Sequence, residues 1–232
     1  IKPTPESFFP KDQFDLLDEK SRNLVNEANN NPNQQFLLGK YLIEGEYGFR
    51  RNIEIAIKYL NHSIDESCID SAVYYSNMLI KGDIIPQDIK KAISILSKFL
   101  STNDPNILFL YAKIMKKQKK YQVAKEYFIK SAKEGNNQSM FEYAKMLLIE
   151  EKGNQKIDQV IYFLKTAIRN GNQKASIFLD VYNQIKSVPG FNNLPSETKK
   201  FIVSKFCKLE KVENSNQSKI ILKTKHIQML LS

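Results

Sequence analysis

Small and bulky residues recur along this chain in columns that keep their register over more than a hundred positions. One column holds Gly39, Ser76, Ala112 and Ala144, at spacings of 37, 36 and 32. Three residues before each stands a bulky side chain, Phe36, Val73, Phe109 and Phe141, and Ile177 continues that column. A second set reads Ala56, Ala92, Ala124 and Val160, followed four residues on by Leu60, Leu96, Phe128 and Leu164. Residues three or four apart share one face of an α-helix. Each unit therefore predicts two helices, the first carrying the bulky-small pair and the second the small-bulky pair. A small side chain lets the partner helix approach, and a bulky one fills the groove beside it. No such pair buries its seam alone, so neighbouring units must stack. The pattern places first helices near 33–44, 69–81, 104–117, 137–151 and 173–186, and second helices near 52–66, 87–100, 120–134 and 156–170. Gly45, Gly48 and Gly82 are expected to end first helices, and Gly135 and Gly171 second ones, where a left-handed cap favours glycine. Asp104 before Pro105 predicts an N-cap with proline in the first turn. Pro86 is expected at the start of the following helix.

The ends depart from the repeat. Residues 12–30 are amphipathic, with Phe14, Leu17, Leu24, Val25 and Ala28 on one side, and predict a helix that caps the first unit. The stretch 187–195 (SVPGFNNLP) breaks the period. Residues 196–209 resume it with Phe201, Ile202, Phe206 and Leu209, and 217–231 reads as a final helix or a tail. The expected fold class is all-α, an α/α solenoid (superhelix) of stacked helix-turn-helix repeats with helical caps. Its parts are an N-terminal cap over 1–32, a repeat array over 33–186 and a C-terminal helical cap and basic tail over 187–232. The array divides into 33–68, 69–103, 104–136, 137–172 and a partial unit, 173–186.

The segments QFLLGKYLIEGEYGF…IAIKYLNHSI, AVYYSNMLIKGDIIPQDIKKAISILSKFL, ILFLYAKIMKKQKKYQVAKEYFIKSAKEG and MFEYAKMLLIEEKGNQKIDQVIYFLKTAIRNG carry the likeness to a known family. They resemble Sel1-like repeats, relatives of the tetratricopeptide repeat, whose pattern is roughly A-x2-LG-x2-Y-x2-G-x-G, a variable loop, then KA-x2-Y-x2-KAA-x2-G. The likeness covers about 33–186. The third unit departs from it, because its loop from Lys116 to Lys120 lacks the glycines and is more like an ordinary tetratricopeptide unit. The resemblance implies scaffold, adaptor or signalling roles, including service as a regulatory module of a larger chain such as a protein kinase. It also implies that first helices line a groove, with the residue after the small column facing it. Here those residues are Lys40, Asn77, Lys113 and Lys145, then Val181. Lysine supplies charge-assisted hydrogen bonds and asparagine can bond a peptide backbone. The expected partners are accordingly proteins or peptides, acidic ones among them.

Composition narrows the alternatives. The formal net charge of +10 concentrates in two segments. Residues 113–134 hold eight lysines and two glutamates, and 199–225 hold the same numbers. These segments support a second reading, a nucleic-acid or anionic-surface binder. Scarce arginine, and aromatics that follow the core period, count against it. The chain shows no HExxH, P-loop, GxGxxG or Gly-x-Ser-x-Gly motif, and no catalytic residues, metal ligands or cofactor are expected. The two histidines, His62 and His226, have no ligating company in sequence. Cys68 and Cys207 lie too far apart for a CxxC pair and read as free thiols in a reducing compartment. A cytoplasmic location is expected. The endoplasmic-reticulum lumen is the lesser alternative, since Asn61, Asn137 and Asn216 stand in N-x-S triplets. No run reaches the roughly 18 apolar residues of a membrane span. The chain opens on Ile1 and reads as a fragment, a processed form or an excised domain, leaving open what precedes it.

Overall fold

The computed structural model describes residues 8–150 and 157–186. Its α-helices are α1 (Lys11–Phe14), α2 (Glu19–Ala28), α3 (Pro32–Glu44), α4 (Ile53–Asp65), α5 (Ile69–Lys81), α6 (Ile89–Lys98), α7 (Pro105–Lys117), α8 (Tyr121–Lys133), α9 (Asn137–Glu150), α10 (Ile157–Arg169) and α11 (Gln173–Lys186). A 3-10 turn, Leu100–Thr102, follows α6, and no strand occurs among the described residues. The helices predicted over 33–186 are all present, with ends displaced by at most two residues.

Local chemistry fixes these ends. Asn31 caps α3, its side chain accepting from the backbone N–H of Asn33 at 3.0 Å, and Pro32 opens the helix. Asn52 caps α4 and Asp88 caps α6 in the same way. Asp104 accepts from Asn106 and Ile107, both at 2.9 Å, with Pro105 in the first turn of α7. Asn136 and Asn172 serve α9 and α11. Each such cap satisfies backbone donors that a helix start leaves open and contributes about 1 kcal/mol. Gly45 and Gly82 close α3 and α5 in the left-handed region, at φ 72° and 73°.

Two expectations need correction. The single capping helix over 12–30 is two helices, broken at residues 15–18 because Asp18 is an extended N-cap whose side chain accepts from Ser21 N–H at 2.7 Å. Pro86 does not begin a helix; it lies exposed in the loop, and α6 starts only after Asp88.

The chain forms two compact units, Ile1–Lys120 and Tyr121–Ser232. In the first, α2 packs on α3, α3 on α4, α4 on α5, α5 on α6 and α6 on α7. The first helices α3 and α5 also touch, as do α5 and α7. In the second, α9 packs on both α8 and α10, and α10 on α11. The seams are the predicted columns. Ala56, Ala92, Ala124, Val160, Leu60, Leu96 and Leu164 are wholly buried, and Phe128 nearly so. A fully buried leucine contributes about 1.5–3 kcal/mol relative to an exposed one. The small column permits this packing: a Cβ added at Gly39 would stand 3.0 Å from Leu60 Cγ and 3.2 Å from the Ala56 carbonyl oxygen.

Candidate partner-binding face

Two pairs of consecutive first helices, one in each unit, meet through aromatic rings in one register. Phe36 of α3 stands edge-on to Tyr74 of α5 at 5.9 Å. Phe141 of α9 meets Phe178 of α11 the same way at 5.7 Å. In both cases the bulky column of one first helix touches the next position along on its neighbour. Ile177, in that column on the last described helix, is 49% exposed.

One residue past the small column lie the four predicted binding positions. Lys40 is half-buried, and its Nζ lies 3.9 Å from Glu44 Oε2, one turn along α3. Asn77 is half-buried on α5, and Lys113 is exposed on α7. The structure thus brings Lys40, Asn77 and Lys113 onto three first helices of one unit. Lys145 belongs to the second unit, on α9, where its Nζ sits 4.8 Å from the centre of the Phe141 ring. A cation over an aromatic face is attracted by the ring quadrupole. One contact of this face escapes sequence reasoning. The Tyr74 hydroxyl donates to Glu44 Oε1 at 3.4 Å, linking α5 to α3. Burial, and then the Glu44 carboxylate, push the Tyr74 phenol up to about 12. Glu44 at i+4 from Lys40 is visible in sequence, but Tyr74 reaches it only because α3 and α5 lie side by side.

The basic run divides unevenly. Lys113, Lys116, Lys117, Lys119 and Lys120 crowd the C-terminal end of α7 with no acid among them. The helix dipole favours cations there. In the second unit Lys130 pairs with Glu126 at 2.9 Å, which raises the lysine's pKa. The second basic segment (199–225), Cys207, His226, Asn216 and the helices predicted beyond 187 lie outside the described residues.

Elsewhere, side chains with apparent chemical potential are engaged in structure. His62 Nδ1 contacts Gln35 Oε1 at 3.0 Å. Cys68 is buried. Of the N-x-S triplets, Ser63 and Ser139 are fully buried, and Asn137 bonds the side chain and carbonyl of Asn170. Among the described residues no group of three or more His, Cys, Asp or Glu side chains is placed to hold a metal ion. No helix among them is long and apolar enough to cross a membrane.

No protein-family model matches the chain, and no curated protein does. Solved structures do. A Sel1 repeat protein from Oxalobacter formigenes superposes with a TM-score of 0.61 at 19% identity, over 81% of this chain and 76% of that one. A protective antigen of uropathogenic Escherichia coli strains, described as displaying an SLR fold, gives 0.61 at 14% identity. That match spans 82% of this chain and only 40% of the antigen. Stacked helix pairs, small-residue seams and this likeness together give the chain the fold of the Sel1-like repeat proteins, an all-α solenoid.

Proposed function

We propose that this protein is an interaction module that binds acidic segments of partner proteins through the first-helix face of α3, α5 and α7. The observation that carries the reading is the row Lys40, Asn77 and Lys113 on three adjoining first helices, each one residue from a buried seam position. Such a row combines charge-assisted donors with an amide that can bond an extended backbone. Half-buried Phe36, Val73 and Phe109 lie one turn before it and supply apolar contact. Glu44 tempers the charge beside Lys40, so Lys113 carries the strongest unshared positive field of the row. Lys145 is assigned the corresponding role in the second unit. The role is binding rather than catalysis, and it suits a free-standing adaptor or a module of a larger chain equally.

The test is affinity capture from lysate of the source cells, with proteins identified by mass spectrometry. Wild type is compared with Lys113→Glu/Lys145→Glu, both shown to be folded by circular dichroism. Specific proteins held by the wild type and absent from the variant support the reading. An unchanged protein set removes the row from the binding surface. Capture dominated by nucleic acid, released by modest salt, supports instead an anionic-polymer site on the lysines ending α7.

A further inference from the structure

Residues 8–16 cross the first unit on few attachments. Phe8, Phe9 and Pro10 are outside any helix. The Phe8 ring meets Tyr59 edge-on at 5.3 Å and His62 at 5.8 Å, and Phe9 meets Phe49 at 6.0 Å. Among the described residues neither phenylalanine makes a hydrogen bond. The short α1 that follows buries no residue, and Leu16 is 79% exposed. Phe9 is itself buried, and the next anchors along the chain are the buried Leu17 and the cap at Asp18. Among the described residues the segment is thus held by the Phe8 ring, the buried Phe9 and one side-chain hydrogen bond, from Arg22 to the Asp15 carbonyl oxygen at 2.8 Å, a short set of attachments that places it toward the more easily opened end of the structure.

The surface beneath it is built differently. Tyr59 is wholly buried on α4, and Phe49 is buried in the loop between α3 and α4. His62 is oriented from behind by Gln35 of α3, itself fully buried, and by Glu66, whose Oε1 lies 3.7 Å from the ring nitrogen. Gln35 in turn donates to Glu66 Oε2 at 3.5 Å. None of these supports involves residues 8–10. A seat fixed by the repeat core, filled by a loosely tethered segment, has the preorganisation of a peptide-docking site. The occupant also defines the chemistry. Two adjacent rings present edges and faces to three aromatic side chains, and Pro10, itself extended at φ −62° and ψ 134°, follows them.

We propose that the surface formed by Phe49, Tyr59 and His62 is a docking site for a partner segment carrying two adjacent aromatic residues followed by proline, and that Phe8, Phe9 and Pro10 occupy it in cis. It lies on α4 and its preceding loop, so it stands or falls independently of the first-helix row. The partner binds only the fraction of molecules in which the strap has lifted.

A fluorescein-labelled peptide of residues 6–13 (ESFFPKDQ), titrated by anisotropy into the full chain, tests this. Phe8→Ala/Phe9→Ala is expected to bind the peptide at least about tenfold more tightly than wild type, because the competing strap is gone. Adding His62→Ala, or replacing both phenylalanines of the peptide by alanine, is expected to abolish that binding. No binding by the folded double variant at about 1 mM peptide overturns the proposal. So does loss of the helical circular-dichroism signal in that variant, which would make the rings part of the core. Hydrogen exchange on wild type gives an independent reading. Amides of residues 11–17 are expected to exchange well ahead of those in α4, and equal protection overturns the proposal.

Discussion

The buried seam and the row beside it are one residue apart on α3, α5, α7 and α9, and they obey different rules. Gly39, Ser76, Ala112 and Ala144 are all buried and all small, because the partner helix leaves no room for more. The next residues differ in type, exposure and company: Lys40 beside Glu44, a half-buried Asn77, an exposed Lys113 and Lys145 over a ring. Packing density punishes variation on the seam, whereas water accepts almost any polar group on the row. Stability should thus depend on the first region, and any selectivity among partners on the second.

The largest effects are expected on the seam. Leu60→Ala should cost about 2–5 kcal/mol and Phe128→Ala about 3–5 kcal/mol, since each leaves a cavity between closely packed helices. Urea unfolding of the full chain followed by circular dichroism measures both. A cost below about 1 kcal/mol for Leu60→Ala would mean that the seam collapses freely and that the column is not what holds the repeat together.

A smaller effect tests the joint between consecutive units. The Ser71 hydroxyl donates to Ser63 Oγ at 2.7 Å, and Ser63 donates to the Pro32 carbonyl at 2.7 Å, with both serines fully buried. Ser131 and Ser139 repeat the pair in the second unit at 2.6 Å. Phe99 with Ile107, and Ala167 with Ala175, take the same sequence positions and are also buried. The joint thus accepts a polar pair or an apolar pair. Ser63→Ala alone strands the Ser71 hydroxyl and is expected to cost about 1–3 kcal/mol. Ser63→Ala/Ser71→Ala is expected to cost less than Ser63→Ala alone, because no side-chain hydroxyl is left stranded. A double variant as unstable as the sum of the two single variants would show that the pair is not coupled.

How much of this is legible beforehand follows from periodicity. The seam columns and most helix ends can be read from the sequence, because burial at 3.6-residue spacing and the chemistry of caps leave local marks. The asparagines blur that reading. They look like compositional bias, yet Asn31, Asn52, Asn136 and Asn172 each start a helix. The Phe8–Pro10 strap leaves no mark, since three non-helical residues carry no period. Tyr74 reaches Glu44, and Ser71 reaches Ser63, only through packing between helices. The predicted row is readable as positions on helices, but its electrostatics depend on these cross-helix neighbours.

The smallest effect lies on the boundary between the two regions, at Ser76 and Asn77. Ser76 is fully buried in the small column, and its hydroxyl has no hydrogen-bond partner among the described residues. The corresponding positions in the next two units are Ala112 and Ala144. Burying an unpaired hydroxyl costs about 1–3 kcal/mol, whereas deleting its one oxygen loses little packing. Alanine is also the better helix former, by up to about 0.7 kcal/mol. Ser76→Ala is therefore expected to stabilise the chain by about 1 kcal/mol, raising the melting temperature by a few degrees. Asn77→Ala, on the row, should change stability by less than about 0.5 kcal/mol. A destabilised Ser76→Ala would reveal a polar partner inside the seam, and an Asn77→Ala effect larger than that of Ser76→Ala would move the boundary between seam and row one residue outward.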